Sequence, residues 1–333
     1  MTAATDPAEL LARVGAGIES PDRSIDESAR AALATQEAAL GRVGELAGWW
    51  AACRGGMDAV PPSRVTLVAF AADQECARRA RISSLPSGSG SQLATALQRG
   101  ETAAGAVAAR IGARILVVDM GLHSPDAPTS DAATVTGESI ASAIETGIGV
   151  ADEQIDSGTE LLIVTTIGAG ATAAAAAIIG LLAPAEAVDV TGRSGGIDDA
   201  TWMRKCAVVR DAMTKGRPYK GEPAQLLLSA GGPDIAAATG LLLRAAQRRT
   251  PVFLGGVGAA AAALVAHRIA FRTRDWWQAA QAIDEPAQRA ALDRLDIAPL
   301  LDLRLGVDEG TGALLAVPLL SNAVAILAAS VAS

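Results

Sequence analysis

The chain has few of the residues from which the most recognisable catalytic and metal sites are made, with three cysteines and two histidines among 333 residues. Cys53, Cys76 and Cys206 are odd in number and far apart, with no CxxC spacing. That argues against a disulfide framework and a structural zinc site, and fits a reducing, cytoplasmic compartment. His123 sits in a polar loop and His267 in a helical stretch, and neither joins a Ser/His/Asp or metal-ligating constellation. No metal, no cofactor and no histidine-dependent mechanism are therefore expected. Clusters of basic charge are missing too: 28 basic against 36 acidic residues give a net charge of −8, and the arginines are scattered. A nucleic-acid partner is not expected. The opening residues, MTAATDPAEL, lack the basic and apolar regions of a secretory signal.

Apolar residues are abundant, and two uncharged runs, Leu161 to Ala183 and Ala313 to Ser333, reach bilayer-spanning length. Both are dominated by Ala and Gly, which carry little transfer energy, and a Gly-Ala-Gly turn breaks the first. Burial inside the protein is expected for both, with no membrane span.

Up to about Gly55 the pattern is helical, over Glu9 to Ile18, Ser28 to Leu40 and a stretch through Leu46, Trp49 and Trp50. After Pro61-Pro62, β-branched runs alternate with Ala-rich stretches. The runs Val65 to Phe70, Ile115 to Val118, Leu161 to Thr166, Leu226 to Ser229 and Val252 to Leu254 predict strands. This is the pattern of an α/β fold, a Rossmann-like three-layer parallel sheet covered on both faces. Residues 59–289 are expected to form the sheet domain, and residues 1–58 with 290–333 a small helical domain built from the two chain ends. In such sheets ligands bind outside the carboxyl ends of the strands, so the loops that follow them are the candidate functional loops.

Three loops carry chemistry, the first of them after a predicted strand. Gly168-Ala-Gly170-Ala-Thr-Ala173 joins a strand to an Ala-rich helix, either to present helix-end N–H groups to a phosphate or to let helix and strand pack closely. A dinucleotide reading of this turn also needs an acidic residue ending the next strand, and the segment around Asp189 is too short and polar to supply one. In Gly192-Arg-Ser-Gly-Gly-Ile-Asp-Asp199, glycines for close approach precede Lys205, a pairing suited to a phosphorylated ligand. Its carboxylates, Asp198 and Asp199, read better as helix N-caps. Glu309, held in Asp308-Glu-Gly-Thr-Gly312 between apolar segments, is either a turn residue or a general base.

The order of motifs resembles that of the nicotinate-nucleotide:5,6-dimethylbenzimidazole phosphoribosyltransferase family over nearly the whole chain. Leu40-Gly-Arg-Val-Gly-Glu-Leu46 is similar to the family's SLGRLGELA, Thr66 to Asp73 to VVFAADHG, and Ile82-Ser-Ser-Leu-Pro86 continuing to Gln92 to VSAYPxxxTxQM. Gly195-Gly-Ile-Asp-Asp199 with Lys205 resembles GTGIDDxxxxRK, Ala230-Gly-Gly-Pro-Asp234 resembles AGGxDIAA, and Asp284-Glu-Pro286 the SEPGH segment. Pro299-Leu-Leu-Asp302 with Glu309-Gly-Thr-Gly-Ala313 resembles PLLDLxLRLGEGTGA.

The resemblance implies transfer of ribose phosphate from nicotinate mononucleotide to a benzimidazole-like base in cobalamin lower-ligand synthesis, by a homodimer. Glu309 is implied as the base that deprotonates the azole, and Ser83 and Gln92 as the lining of the base pocket. Gly170, Gly195, Gly196 and Lys205 are implied around the ribose phosphate, with Thr166, Gly168, Asp198 and Gly310 completing the substrate set. The departures fall on the site. Asp73-Gln74-Glu75 replaces DHG, Thr166 an acidic residue, Gly170-Ala-Thr-Ala173 GNTT, Leu254-Gly255-Gly256 LDG, and Gln281 to Gln288 a segment with two histidines. They suggest a second reading, a catalytically silent or repurposed paralogue that binds a nucleotide or azole and could pair with an active homologue.

Overall fold

The computed structural model of the protein describes residues 6–33, 40–83, 89–122, 135–306 and 309–332. His123, Asp308 and residues 84–88 of the Ser/Gly stretch lie outside the described residues. Five strands, β1 (Val65–Ala71), β2 (Arg114–Asp119), β3 (Leu161–Ile167), β4 (Val252–Leu254) and β5 (Trp277–Ala279), form one sheet in the order β2-β1-β3-β4-β5. Every pairing is parallel. β1 is buried at every position and β3 at all but Thr166, which is why VTLVAFA and LLIVTTI read as continuous apolar runs without alternation. β2, at the edge, is half-exposed through its middle.

Four of the expected strands are present, and the fifth is corrected. Leu226 to Ser229 lies in a helix, Pro223–Ala230, with Pro223 in its first turn and Leu226, Leu227 and Ala230 buried. A short apolar run does not separate a strand from a buried helical face, and the proline at the start favours the helix. The strand it displaces is β5, only three residues long. Two further strands, β6 (Gln281–Ile283) and β7 (Leu301–Leu305), pair in a separate two-stranded sheet. β7 has no apolar run to announce it, since its Asp302, Leu303 and Arg304 are all exposed.

The run Leu161 to Ala183 resolves into β3 and the helix Ala171–Leu182, both buried. The C-terminal helix, Thr311–Val331, is long and apolar enough by length and composition to cross a membrane. One stripe of it, including Leu314, Val317, Leu320 and Leu327, is buried, and the helix packs against the helices Arg42–Arg54 and Ala103–Ile111. The helix Arg23–Ala32 joins this group, whereas Pro7–Gly15 packs against Gly137–Asp156 and Pro233–Gln247.

Small residues set the spacing between helices. Gly147 on Gly137–Asp156 meets Pro233–Gln247 so closely that a Cβ there would lie 1.9 Å from the Ala237 carbonyl oxygen. Gly149, two residues on, faces open space. Gly147→Ala is therefore expected to cost about 1–3 kcal/mol through overpacking, and Gly149→Ala to gain about 0.5–1 kcal/mol by helix propensity. Urea denaturation of the two variants checks this; equal midpoints would refute the close approach.

Candidate active site

The strand order 2-1-3-4-5 has its switch point between β1 and β3, where successive connections leave the sheet on opposite sides and open a crevice. The two loops at that point are stitched together. Ala72 N donates to Ile167 O at 3.0 Å, Gln74 N donates to Ala169 O at 2.8 Å, and Asp73 Oδ1 accepts from Ala169 N at 2.8 Å. Gly168 adopts φ 132°, and a Cβ on it would fall 2.0 Å from Ala72 O. Gly170, at φ 82°, has Gln74 and Ala77 against it. The glycines are thus required by the close passage of two loops, and the same geometry leaves the first turn of the helix Ala171–Leu182 lining a cavity of about 430 Å³.

Three helix N-termini meet this cavity. Gly170, Ala171 and Thr172 line it from one helix and Gly256 and Val257 from the helix Gly256–Ile269, while Glu309 lies just ahead of Thr311–Val331. Each of the three has glycine at its cap position and no side-chain cap. Helix starts carry partial positive charge and N–H groups without intrahelical partners, so glycine-capped starts around one cavity suit an anion.

Charged side chains complete the lining. Lys205, on the helix Asp199–Gly216, is 3% exposed; its Nζ donates to Gly192 O at 3.1 Å and lies 3.9 Å from Glu285 Oε1. Burial pulls the Lys205 pKa down, and the Glu285 carboxylate opposes that shift. Glu309 also lines the cavity, half-buried, and among the described residues it has no ion-pair partner. The rest is mostly aliphatic, with Ile82, Leu93, Ile167 and Ile283 beside Ser83. A largely aliphatic pocket with a buried cation, helix starts and a carboxylate outside any ion pair among the described residues is equipped to hold a phosphate and to take a proton from a neutral ring.

Of the residues singled out in the sequence, Ser83, Thr166, Gly168, Gly170, Gly195, Lys205 and Glu309 line this cavity together. Thr166 packs its side chain where a Cβ on Gly258 would stand, which ties β3 to the second helix start. Others are placed elsewhere. Gln92 is exposed on the helix Ser89–Gln98, and its neighbour Leu93 faces the cavity instead, one residue being enough to turn a side chain by about 100° on a helix. Gly196 lines an adjoining depression with Arg193 and Trp202. Asp198 is the N-cap of its helix and accepts from Thr201 N at 2.8 Å, and this contact with Thr201 holds its pKa below the usual carboxylate range. Gly310, at φ 103°, caps the C-terminal helix and packs on Leu67. Gly256, Ile283 and Glu285 fall in segments that the resemblance marks as altered at the site, but the sequence gives none of them a role, and it does not single out Val257. The available signal was the run of glycines at helix starts where Ser, Thr or Asp is the usual cap.

Beneath the stitched loops lies Asp234, fully buried, with Oδ1 accepting from Gln74 Nε2 at 2.9 Å. Burial raises its pKa to about 6. A carboxyl raised in the folded state stabilises the fold below the unfolded value near 3.9, and that stabilisation is lost as pH rises to about 6. Asp234→Asn keeps the acceptor without the charge. Its stability relative to the native chain is expected to rise by up to about 3 kcal/mol between pH 4 and pH 7.5, measured by urea denaturation at both values. The same difference at both would remove Asp234 from the account.

These features place the protein among the doubly wound α/β proteins, a class whose ligands bind at the sheet's switch point. A phosphoribosyltransferase family model matches residues 18–332. A nicotinate-nucleotide–dimethylbenzimidazole phosphoribosyltransferase of Streptomyces avermitilis is 43% identical, over 93% of this chain and 88% of its own. Its counterpart from Mycobacterium ulcerans is 39% identical, over 94% and 92%. The crystal structure of the Thermus thermophilus phosphoribosyltransferase of the same name superposes with a TM-score of 0.82 at 29% identity, covering 92% of this chain and 96% of that one. The chain belongs to the nicotinate-nucleotide–dimethylbenzimidazole phosphoribosyltransferase family.

Proposed function

We propose that the protein transfers the ribosyl phosphate of nicotinate mononucleotide to 5,6-dimethylbenzimidazole or a closely related azole, as in the assembly of the cobalamin lower ligand. The observation that carries this is the convergence of Glu309, Lys205 and glycine-capped helix starts on one largely aliphatic cavity. Lys205 and the helix ends hold the phosphate, and Ile82, Leu93 and Ser83 flank the azole. Glu309 takes the proton of the azole N–H as the ring nitrogen bonds to the anomeric carbon. The glycosidic bond to the pyridinium breaks, its electron pair returns to the ring nitrogen, and nicotinate leaves. No step in this sequence calls on a metal or an added cofactor. The altered motifs leave both charged groups in place, so no observation favours a silent paralogue.

The test is to incubate purified protein with nicotinate mononucleotide and dimethylbenzimidazole and to follow nicotinate by chromatography. Release that requires both substrates is expected; no release, under conditions where a relative turns over, would overturn the reading.

We also propose a cytoplasmic homodimer. In support of the dimer, Leu315 on the outer face of the C-terminal helix is 38% exposed, and this helix packs against Ala103–Ile111, which lies beside the half-exposed edge strand β2. Light scattering at micromolar concentration is expected to give twice the chain mass.

A further inference from the structure

Lys205 and Glu285 come from distant parts of the chain, and each is almost completely enclosed, with side chains 3% and 1% exposed. The turn between them is shaped by the carboxylate. A Cβ on Gly192 would stand 2.2 Å from Glu285 Oε2 and 2.7 Å from Oε1, so a side chain at this position would push the Glu285 carboxylate from its place. The carbonyl of that same Gly192 accepts from Lys205 Nζ at 3.1 Å. Lys205, Gly192 and Glu285 therefore form one buried unit, and both charged members line the candidate active site.

A lone ammonium at this depth is costly, and an amine in such a place sheds its proton unless a negative charge is near. Glu285, at 3.9 Å, supplies that charge without a direct hydrogen bond to Nζ. Among the described residues no other carboxylate replaces it. Among the described residues, Glu285 is the carboxylate that acts on Lys205 electrostatically, and Cys206 acts in the same direction. On the helices packed against it, Glu75 pairs with Arg79 and Asp189 is exposed; Arg193, on the turn, pairs with Asp199. Glu309 shares the cavity.

We propose that Glu285 is a positioning residue for the transfer reaction: it holds Lys205 as a cation on the Gly192 turn, where Lys205 binds the substrate phosphate, and it takes no proton itself. This rests on the phosphoribosyl transfer proposed above. It separates the two carboxylates of the cavity by role, Glu285 neutralised by its lysine and Glu309 left to act as base.

The experiment compares the native chain with Glu285→Gln, Lys205→Met and the double variant from pH 6 to pH 8.5. For Glu285→Gln, the Michaelis constant for nicotinate mononucleotide is expected to rise about tenfold at pH 8, with the turnover number within about threefold. The ratio to the native value should shrink toward pH 6, because lower pH restores the proton on Lys205. In the Lys205→Met background the Glu285→Gln change should add nothing, since Glu285 acts only through Lys205. The double variant leaves no unpaired buried charge, and so covers a Glu285→Gln protein that folds poorly. A Michaelis constant unchanged at every pH, or a further loss in the Lys205→Met background, would overturn the proposal. Calorimetric binding of ribose 5-phosphate is expected to follow the same ratio. A native protein that binds ribose 5-phosphate with this Glu285 dependence yet releases no nicotinate would refute the transferase reading and leave the role of Glu285 standing. No binding at all would refute both.

Discussion

Glu309→Gln is expected to slow nicotinate release about a hundred- to ten-thousandfold while changing the Michaelis constants only a few-fold. The amide has the shape of the carboxylate and cannot accept the azole proton. Substrate binding is expected to be kept because, in the proposed reading, the phosphate is held elsewhere, by Lys205 and the helix starts at Gly170 and Gly256, which line the same cavity. Position reinforces the point, as Glu309 precedes the helix Thr311–Val331, whose glycine cap, Gly310, is packed on Leu67 of β1. The residue that follows Glu309 is thus seated on β1, even though Glu309 itself lies on a loop. The check is steady-state kinetics by chromatography with each substrate varied in turn. If the variant retains more than about a tenth of native turnover, below the usual contribution of a general base, Glu309 is not that base.

Gly168→Ala is the second large effect, expected to lower kcat/KM about a hundredfold through misplacement of the phosphate loop and to destabilise the fold by about 3 kcal/mol or more. Two independent costs add at this position. The residue sits at φ 132°, a region that L side chains rarely adopt, and its Cβ would strike Ala72 O at 2.0 Å. Relief requires the loops after β1 and β3 to part, which breaks the bonds that hold Ala169 between Asp73 and Gln74. The first turn of the helix Ala171–Leu182 moves with them. Gly196→Ala serves as the comparison, with φ 70° but open space around it and a place outside the cavity. Kinetics and urea denaturation of both variants decide the matter, and equal losses would show that left-handed strain alone, and not the passage of the two loops, sets the cost.

The positions at which sequence and structure part company share a cause. Gln92 and Leu93 are adjacent, and choosing between them needs the rotational phase of a short helix whose preceding residues offer no strong apolar periodicity. Leu226 to Ser229 has strand-like composition but lies behind a proline that starts a helix. Glu285 stands in an unremarkable acidic dipeptide before a proline, and only the fold sets it beside Lys205. Asp198, read from spacing as an N-cap and by resemblance as a substrate contact, is held by its own helix and lies outside the cavity.

By itself the sequence determined the parallel α/β architecture, the glycine turn after β3, the burial of the first long apolar run and the candidacy of Glu309 and Lys205. Each follows from local pattern: a strand buried on both faces must be apolar throughout, a turn at positive φ selects glycine, and a charge between apolar segments stands out in one dimension. Only the tertiary structure decided that two glycine-capped helix starts and the residue ahead of a third share one cavity, that Leu93 rather than Gln92 lines it, and that Lys205 has Glu285 beside it while Glu309 joins no ion pair among the described residues. Those relations join residues whose separation along the chain bears no relation to their distance in space, because a doubly wound sheet gathers its loops at one edge whatever the lengths of the helices between them.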